Sequence, residues 1–525
     1  MGAVAGGIGA ALALTIGEVF DGASSRVPSL VIGVADFISR NTPGDVVAWS
    51  ISNVGTAQKT LFPLGITITT VLFGALIGIL GLRSQRNLFI GFGLLGLVAT
   101  ISMATTQGST GLGVTSAILA TTVGAGVAAL LINRGQASTN RPAFSAQGSG
   151  YAANDLDPTN PAGDRRQFLA WSGGAAATAV ALGGIGSNLE RSTKKAVESA
   201  RQNVVVPEGI ADIDRAMADL NTLDSSPGIS SYITPNDGFY LIDTAFTKPQ
   251  VDPKDWSLEI KGMVDNPYSL TFDEILAMDL IDVPITLSCV SNSVGGNLVG
   301  NAVWTGVPII ELLERAGVQE GATQFFGRSV DDWTAGFPTE ALYDGRDALL
   351  AIGMNGEPLP VKHGFPARLV VSGLYGYVSA VKWVKSITMT TWEAEDGYWI
   401  PRGWNKLGPI KTQSRIDAPR NNATVPAGPK AIGGVAWAPS RGITKVEVQI
   451  AGGPNGANEW VEAELGEALS NDTWVQWTVP WDPEPGRYFL RVRATDADGE
   501  TQGEIEVDPR PNGAEGWHTI EVNVS

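Results

Sequence analysis

Residues 287–304 read LSCVSNSVGGNLVGNAVW and place the only cysteine of the chain, Cys289, between an apolar run and a polar loop. The preceding run 283–287, VPITL, predicts a strand that ends at the cysteine. The Gly/Asn/Ser-rich loop predicts a backbone able to approach a ligand closely, and an amphipathic helix is expected over about 308–316. A thiol in this setting is a candidate metal ligand or nucleophile, whereas a single cysteine is otherwise usually a small buried apolar residue.

The composition limits the kind of redox centre that the chain can build. Its 525 residues contain one Cys and two His, His363 and His518. One Cys excludes an intramolecular disulfide, a cluster held by several cysteines and a structural zinc site of several cysteines. No Cys-x-x-Cys-His haem attachment occurs, and no His lies before residue 363. We therefore expect no haem or iron–sulfur cluster, and a redox centre that uses few protein ligands.

Charge is distributed unevenly along the chain. The net charge is −17; residues 1–190 hold 9 Lys+Arg and 8 Asp+Glu, and the remaining residues hold 27 against 45. An excess of carboxylates argues against nucleic acid as a partner. It indicates an anionic, highly soluble part that follows a nearly neutral one.

Four long apolar stretches in the first part are near the ~20 residues that cross a bilayer. They are residues 3–20, 61–82, 88–103 and 114–132. Their glycines, including the spacing of Gly74 and Gly78, favour close helix packing in lipid. A semi-apolar piece at 29–39 is either an interfacial or re-entrant helix or an ordinary amphipathic loop helix.

Arginines beside these stretches predict their orientation. Arg83 and Arg86 lie between the second and third stretches, and Arg134, Arg141, Arg165 and Arg166 follow the fourth. The positive-inside rule then places the N-terminus and a flexible, Gly/Ser/Pro-rich linker at 134–166 in the cytoplasm. This orientation leaves Arg26, Arg40 and Lys59 outside the cytoplasm, and these three cations argue against it.

The linker ends in DRRQFL at 164–169, followed by an apolar segment at 170–185. This pattern resembles a twin-arginine export signal, and we predict an uncleaved signal or anchor span at 167–187. The alternative is a fifth span with ordinary flanking arginines. Both interpretations place everything after residue 190 outside the cytoplasm, so the chain is expected to be a multi-pass protein of the cell membrane.

The exported part changes character twice. A juxtamembrane segment at 188–230 has helical pieces at 192–201 and 210–220, and alternating short strands and helices then predict an α+β domain. From about residue 418, short alternating strands separated by turns predict an immunoglobulin-like sandwich without a Cys pair. These strands are expected at 431–437, 444–450, 460–465, 473–478, 487–494, 504–507 and 518–524.

Three groups of residues in the exported part resemble the sulfite oxidase family of molybdenum-cofactor enzymes. They are ITPNDGFYLIDT at 233–244; TLSCVSN at 286–292 with WTGVP at 304–308; and MNGEPLP at 354–360, followed by HGFPARLVV at 363–371 and VKWV at 381–384. The third group is the most specific. The C-terminal sandwich is similar to the dimerisation domain of that family, so the resemblance covers roughly 230–525.

The apolar stretches and the resemblance together predict three parts of different fold class. They are an N-terminal all-α transmembrane bundle at 1–133, an α+β molybdopterin domain at 231–417, and an all-β immunoglobulin-like dimerisation-type domain at 418–525. The resemblance also implies a mononuclear molybdenum–molybdopterin cofactor with Cys289 as the protein's thiolate ligand to molybdenum. A soft thiolate suits a redox-active metal that a pterin dithiolene already holds, so one protein ligand is sufficient.

Further residues fall on the family's cofactor positions. His363, Arg368 and Lys382 are expected to hold the pterin and its phosphate, which needs cations and backbone donors. Asp243, Thr244, Asp332 and Thr334 fall near the remaining pterin contacts. Taken singly, Arg368 and Lys382 would be interpreted as strand-edge charges and His363 as a structural histidine. His518 lies in the sandwich and is expected to be structural.

The substrate pocket departs from that of sulfite-oxidising members of the family. Those members carry arginines just after the cysteine and in the first segment, whereas this chain has VSNS at 290–293 and Leu241-Ile242. The departure argues against sulfite. A separate aromatic and cationic stretch at 398–406 offers Arg402 and Lys406 for an oxyanion or sulfoxide, with Tyr377 as a candidate lining residue. Surface charges that join two domains are the alternative interpretation.

The expected activity is oxygen-atom transfer by a membrane-anchored extracytoplasmic oxidoreductase. Electrons would pass to or from a separate cytochrome or quinone-linked partner, and the chain is a candidate homodimer. Two alternatives remain open: a sulfoxide-type reductase of the same family, and a non-catalytic exported scaffold.

Overall fold

The protein, described by a computed structural model, divides into two compact units, Met1–Ala196 and Val197–Ser525. The structure describes residues 1–24, 27–106, 111–137, 161–207, 209 and 213–525. Arg26 and most of the predicted linker, including Arg141, lie outside the described residues.

The first unit is helical. Its helices are α1 (Gly2–Ala23), α2 (Leu30–Asn41), α3 (Gly44–Val54), α4 (Gln58–Gly81), α5 (Gln85–Thr105), α6 (Gly111–Ala137) and α7 (Pro161–Gln202), the last of which ends in the second unit. Among the described residues, α1, α4, α5, α6 and α7 are long and apolar enough to cross a membrane. Such helices are compatible with membrane association and with the four spans and one anchor that the sequence predicts. The predicted piece at 29–39 is α2, and the Ser29 hydroxyl accepts a hydrogen bond from the Ile32 amide (3.2 Å) at its start.

Glycine contacts hold α1 against α4 and α6. A Cβ atom added to Gly6 would lie 2.0 Å from the Gly74 carbonyl oxygen, and one added to Gly78 would lie 2.1 Å from that of Gly2. A Cβ atom on Gly9 would lie 2.5 Å from the carbonyl oxygen of Gly124. No larger residue fits these positions without a shift of the backbone. The close packing predicted from Gly74 and Gly78 is confirmed.

Helix α7 is longer than the sequence pattern predicts. The anchor at 167–187 and the helical piece at 192–201 form one continuous helix of 42 residues. Residues 187–202 contain neither Gly nor Pro, so nothing in the backbone interrupts the helix there. An ion pair between Lys194 and Glu190 (2.5 Å), one turn apart, supports this part of α7.

The second unit begins as a mixed α+β fold, as predicted. Its first elements are α8 (Ile213–Ala218), β1 (Ser257–Gly262), β2 (Tyr268–Thr271), α9 (Phe272–Leu276), β3 (Ile281–Ser288), β4 (Val299–Pro308), α10 (Ile309–Ala316), β5 (Gln324–Ser329), β6 (Thr334–Pro338), β7 (Ala348–Met354), β8 (Glu357–Pro358), β9 (Arg368–Val371), α11 (Gly376–Ser379) and β10 (Val384–Thr390). One sheet has the order β2-β1-β10-β5-β6, in which β1 and β10 are parallel. The other has the order β3-β4-β7-β8, with β9 paired to β7. The buried side chains of Trp304, Phe325 and Phe365 belong to one core, which includes residues of both sheets.

The C-terminal part is all-β. Its strands are β11 (Gln413–Ala418), β12 (Ala423–Val425), β13 (Lys430–Trp437), β14 (Ile443–Gly452), β15 (Ala457–Glu462), β16 (Glu464–Leu465), β17 (Val475–Trp481), β18 (Gly486–Asp496) and β19 (His518–Val524). They form sheets of order β11-β13-β17-β16 and β12-β19-β18-β14-β15. Ile432, Trp477 and Leu490 belong to the core that the two sheets share.

Two details of this part differ from the predicted pattern. Strand β11 begins before the boundary expected at residue 418, because its residues pair with β13. The strand predicted at 504–507 does not form, and Val507 makes only an isolated bridge to Glu515. The sequence DPRPNG at 508–513 explains this, since two prolines lack the amide donors that a ladder needs.

Candidate functional site

Cys289 follows directly after β3, where the β3–β4 hairpin opens into the loop 289–298. Its amide donates to the Leu298 carbonyl (2.9 Å), so the cysteine is held at the base of the loop. Asn292 connects the two ends of the loop, because its side-chain Oδ1 accepts from the Leu298 amide (2.8 Å) and its backbone amide donates to the Cys289 carbonyl (3.0 Å). The strand–thiol–loop arrangement predicted from the sequence is confirmed.

The Cys289 thiol is buried, with 9% of the residue exposed. Burial raises its pKa, while hydrogen bonds from Ser291 and the positive charge of Lys382 lower it. A metal ligand must be the thiolate. Lys382 therefore assists the form of Cys289 that a metal would bind.

His363 is fully buried and lies in a short turn beside the segment 233–244. Its Nε2 is 2.9 Å from the Asn236 carbonyl oxygen, and Phe239 packs edge-on against its ring (5.7 Å between centroids). Burial lowers its pKa to about 3, and the charges of Arg368, Lys382 and Lys362 contribute to this lowering. The imidazole is therefore neutral, and its Nδ1 has no hydrogen-bond partner among the described residues.

The position after His363 requires a glycine, Gly364. It has a φ of 119°, and a Cβ atom there would lie 3.0 Å from the Arg368 Cβ and 3.2 Å from the Lys382 Cα. A glycine thus lets three chain segments converge. The sequence string His363, Arg368 and Lys382 becomes one cluster in space.

Arg368 is the buried cation of this cluster. It is 4% exposed, its guanidinium lies over the Trp304 ring (4.9 Å), and Nη1 donates to the His363 carbonyl (3.2 Å). Burial lowers its pKa to about 10. No carboxylate within the described ranges forms an ion pair with it. A buried guanidinium without a carboxylate partner in the described ranges favours an anionic ligand.

Lys382 joins the first segment to the cluster. Its Nζ forms an ion pair with Asp243 Oδ2 (3.2 Å) and donates to the Lys362 carbonyl (3.2 Å). The side chains of Lys382 and Asp243 are 10% and 6% exposed. Thr244 follows Asp243 and is half-buried. The structure therefore brings Asp243 and Lys382 together, with Thr244 next to Asp243 in the chain.

Asp332 and Thr334 lie at the β5–β6 turn. Asp332 Oδ1 contacts Lys385 Nζ (2.5 Å) and Arg328 Nη1 (3.9 Å), whereas its buried Oδ2 has no partner in the described part of the chain. The Val330 amide donates to the Trp383 carbonyl (2.8 Å), which ties this turn to the residue after Lys382. Lys385 was not predicted as a site residue, although it follows Lys382 by three positions.

These unpartnered atoms test whether the residues fit a pterin cofactor. His363 Nδ1, Asp332 Oδ2 and Asn292 Nδ2 are buried polar atoms without partners among the described residues. Buried polar groups are normally hydrogen-bonded, so such atoms indicate places that a polar ligand fills. A ligand with ring N–H groups and an anionic phosphate matches acceptors at Asp332 and cations at Arg368 and Lys382. The donor set therefore fits the group that the sequence implies.

Arg402 and Tyr377 lie in a different setting. The Tyr377 hydroxyl donates to the Asn405 carbonyl (2.6 Å), and its ring packs near Trp404 (5.8 Å). The Arg402 guanidinium lies over the Tyr398 ring (3.8 Å), and Nη1 donates to the Tyr398 carbonyl (2.5 Å). These four contacts stabilise the turn at 398–406. The Tyr398 amide donates to the Thr334 carbonyl (2.9 Å) and so connects that turn to β6.

Arg510 reaches the same turn from the C-terminal part. Its Nη2 donates to the Arg402 carbonyl (3.1 Å), and a Cβ atom on Gly403 would lie 2.1 Å from that nitrogen. The sequence analysis did not predict this arginine. It is 108 positions away from Arg402 and lies in a loop without a regular strand pattern.

Tyr240 is a second residue that the sequence analysis missed. It stacks on Phe239 (5.1 Å), and a Cβ atom on Gly376 would lie 3.9 Å from its hydroxyl and 4.0 Å from the Ser288 carbonyl oxygen. Burial raises the pKa of Tyr240, with Cys289 raising it further and Arg368 lowering it. Its hydroxyl makes no hydrogen bond with the described residues. Its position inside the quoted segment 233–244 was the available signal.

Comparison with known proteins agrees with this geometry. Residues 245–399 match the family described as oxidoreductase molybdopterin binding domain. A sulfite oxidase of Arabidopsis thaliana is 29% identical over 305 residues, which cover 47% of this chain and 76% of that protein. An uncharacterized oxidoreductase of Bacillus subtilis (strain 168), YuiH, is 32% identical over 183 residues, which cover 34% of this chain and 89% of that protein. The chain belongs to the sulfite oxidase family of molybdopterin oxidoreductases.

This molybdenum-cofactor-dependent oxidoreductase also has a solved structural neighbour. The sulfane dehydrogenase SoxCD of Paracoccus pantotrophus aligns with a TM-score of 0.49 and 23% identity, over 62% of this chain and 94% of that one. Within the oxidoreductase, the matched range 245–399 contains Cys289, His363, Arg368 and Lys382. It leaves Asp243, Thr244 and Arg402 outside.

Proposed function

We propose that this oxidoreductase performs oxygen-atom transfer at a molybdenum–pterin centre ligated by Cys289. The observation that carries the proposal is the convergence of one buried thiol with the buried cluster of His363, Arg368 and Lys382. When bound, the molybdenum–pterin supplies two-electron oxygen-atom transfer chemistry. The protein contributes ligation, orientation and electrostatics.

The roles proposed for the cofactor residues follow from their charge and contacts. Cys289 supplies the thiolate, and Arg368 and Lys382 bind the anionic phosphate end of the pterin. His363 offers an uncharged imidazole nitrogen at Nδ1, because its pKa of about 3 keeps the ring neutral. Asp332 and Asp243 accept hydrogen bonds from ring N–H groups, with Thr244 and Thr334 beside them. Arg402 and Tyr377 belong to the rim of the pocket.

A neutral S=O substrate is a second candidate beside an oxyanion. Leu241 and Ile242 are 38% and 43% exposed at the position where an anion pocket would need arginine. Tyr240, the residue before them, has a hydroxyl without a hydrogen bond in the described chain. A phenol can donate to a sulfoxide oxygen without the cations that sulfite requires. This observation favours sulfoxide-type reduction as the runner-up activity.

The remaining parts of the proposal concern place and partners. The helices α1, α4, α5, α6 and α7 span the cell membrane, with the twin-arginine-like segment as an uncleaved anchor and the catalytic unit outside the cytoplasm. Electrons are exchanged with a separate cytochrome or quinone-linked partner, without a haem or iron–sulfur cluster in the chain. The paired C-terminal sheets support an immunoglobulin-like sandwich, which is also the proposed contact in a homodimer.

Two activity measurements test the proposal on membranes that contain the full chain. One measures sulfite-dependent reduction of a cytochrome, and the other measures sulfoxide-dependent oxidation of a reduced dye. We expect one activity to depend on Cys289 and to fall by more than about 100-fold in Cys289→Ser, since loss of a metal ligand exceeds the cost of losing its supporting partners. Activity that is unchanged in Cys289→Ser would exclude the ligand role.

The orientation has its own test. A reporter that is active only outside the cytoplasm is fused after Ser525, and we expect this fusion to be active. A reporter that works only in the cytoplasm would contradict the extracytoplasmic location.

A further inference from the structure

The C-terminal part contacts the loop 289–298, the cysteine loop, through Arg415. This residue of β11 is 9% exposed, and its guanidinium makes three contacts in different directions. Nη1 donates to the Gly296 carbonyl (2.8 Å), Nη2 donates to Ser230 Oγ (2.9 Å), and Nε donates to Asp417 Oδ1 (2.6 Å). A planar guanidinium with several donors can fix such acceptors together, which a lysine cannot.

His518 contacts the neighbouring position of the same loop. A Cβ atom on Gly295 would lie 2.2 Å from the His518 Cδ2, so the imidazole rests directly on the backbone of Gly295. Gly295 also has a φ of 71°, which disfavours other residues. The His518 Nδ1 accepts from the Ile416 amide (3.0 Å), next to Arg415 in β11. Arg415 and His518 thus hold Gly295 and Gly296 from one side.

Contacts inside the loop connect these glycines to Cys289. A Cβ atom on Gly296 would lie 2.5 Å from Asn292 Oδ1, so the Asn292 amide packs against the backbone that Arg415 holds. The same Asn292 Oδ1 accepts from the Leu298 amide, and the backbone amide of Asn292 donates to the Cys289 carbonyl. The Cys289 amide in turn donates to the Leu298 carbonyl. A shift at Gly296 is therefore passed to the backbone of Cys289 through Asn292 and Leu298.

We propose that Arg415 and His518 are positioning residues that fix the loop 289–298 and thereby the direction and accessibility of the Cys289 thiol. The inference rests on the proposed ligand role of Cys289 and adds a second role for the C-terminal β part. The C-terminal β part would fix the cysteine loop, independently of any role in pairing two chains.

The first test uses the cofactor-free full chain and the fact that Cys289 is its only thiol. The measurement is the rate at which a maleimide reagent labels Cys289 under native conditions. We expect Arg415→Gln to label at least about tenfold faster than the unaltered protein, because the loop opens more often. Arg415→Lys should lie between them. Arg487→Gln is the matched control, since Arg487 lies in the same β part and pairs with Glu521 on an exposed face.

The second test uses the cofactor-loaded protein. Mo-edge X-ray absorption and the Mo(V) paramagnetic signal should change in Arg415→Gln at unchanged molybdenum content, with a lower kcat and a similar KM. If Arg415→Gln does not fold, Gly295→Ala provides the same test, because it presses the loop against His518 and leaves the Arg415–Asp417 ion pair intact.

The outcomes separate the two levels of the proposal. Labelling rates and Mo spectra that match the unaltered protein in both Arg415→Gln and Gly295→Ala would overturn the positioning role. Equal increases in labelling rate in Arg415→Gln and in the control Arg487→Gln, each accompanied by an equal drop in melting temperature, would overturn it too. Retention of the Mo–thiolate signal in Cys289→Ser would instead overturn the ligand role on which the inference rests.

Discussion

Single residues of this oxidoreductase acquire their chemistry from burial. Cys289, His363 and Arg368 are all removed from water, which raises the pKa of the thiol and lowers those of the imidazole and guanidinium. Each shift disfavours the charged form of the isolated group. Under the proposed function, an anionic cofactor and its metal would stabilise the charged forms, namely the Cys289 thiolate and the cations of Arg368 and Lys382.

Tyr240 provides the sharpest test at this scale. Tyr240→Phe removes one hydroxyl and leaves the stacking on Phe239 intact. If that hydroxyl donates to the substrate oxygen, kcat/KM should fall by about tenfold, as expected for one lost hydrogen bond of about 1.4 kcal/mol. Steady-state kinetics with unchanged molybdenum content is the measurement. Tyr343→Phe, at an exposed tyrosine, is the control, and equal kinetics in both variants would exclude a role for Tyr240.

The strand and loop elements were predicted well where local pattern decides them. The strand before Cys289 and the helix near 308–316 follow from apolar spacing, and both form. The contacts of Arg415, His518 and Arg510 could not be predicted, because they join positions about a hundred residues or more apart. The strand predicted at 504–507 does not form. Apolar and polar residues alternate there, but the prolines and glycine that follow prevent strand pairing.

The contact between β19 and the cysteine loop predicts a pH dependence. Burial lowers the pKa of His518 to about 4 from its ordinary value of 6.5, with Arg415 lowering it further and Asp417 raising it. Between these values the unfolded chain binds a proton that the folded chain does not. Stability therefore falls as pH falls through this window, by on the order of 3 kcal/mol for this group.

Denaturant unfolding of the unaltered protein and His518→Gln between pH 7 and pH 4 measures this contribution. Glutamine keeps an acceptor for the Ile416 amide but does not titrate. The variant should lose less stability over the range, while His363 contributes equally to both proteins. Parallel curves would show that His518 does not supply the dependence.

At the scale of the whole molecule, the chain divides into a helical unit that holds the candidate membrane spans and a second unit that holds the candidate site. The unit Val197–Ser525 contains the cysteine loop, the cation cluster and both C-terminal sheets. We expect a fragment of residues 197–525 to be soluble and to retain cofactor and dye-linked activity within about twofold. Molybdenum analysis and activity of the purified fragment check this. An aggregated or cofactor-free fragment, beside an active full chain in membranes, would contradict it.

The most direct test of the account is the molybdenum content of the full chain, measured with Mo-edge X-ray absorption after production in a host that assembles the cofactor. The account predicts about one molybdenum per chain, with a cysteine sulfur among its ligands that disappears in Cys289→Ser. Less than about 0.1 molybdenum per chain, or a sulfur shell unchanged by Cys289→Ser, would contradict it.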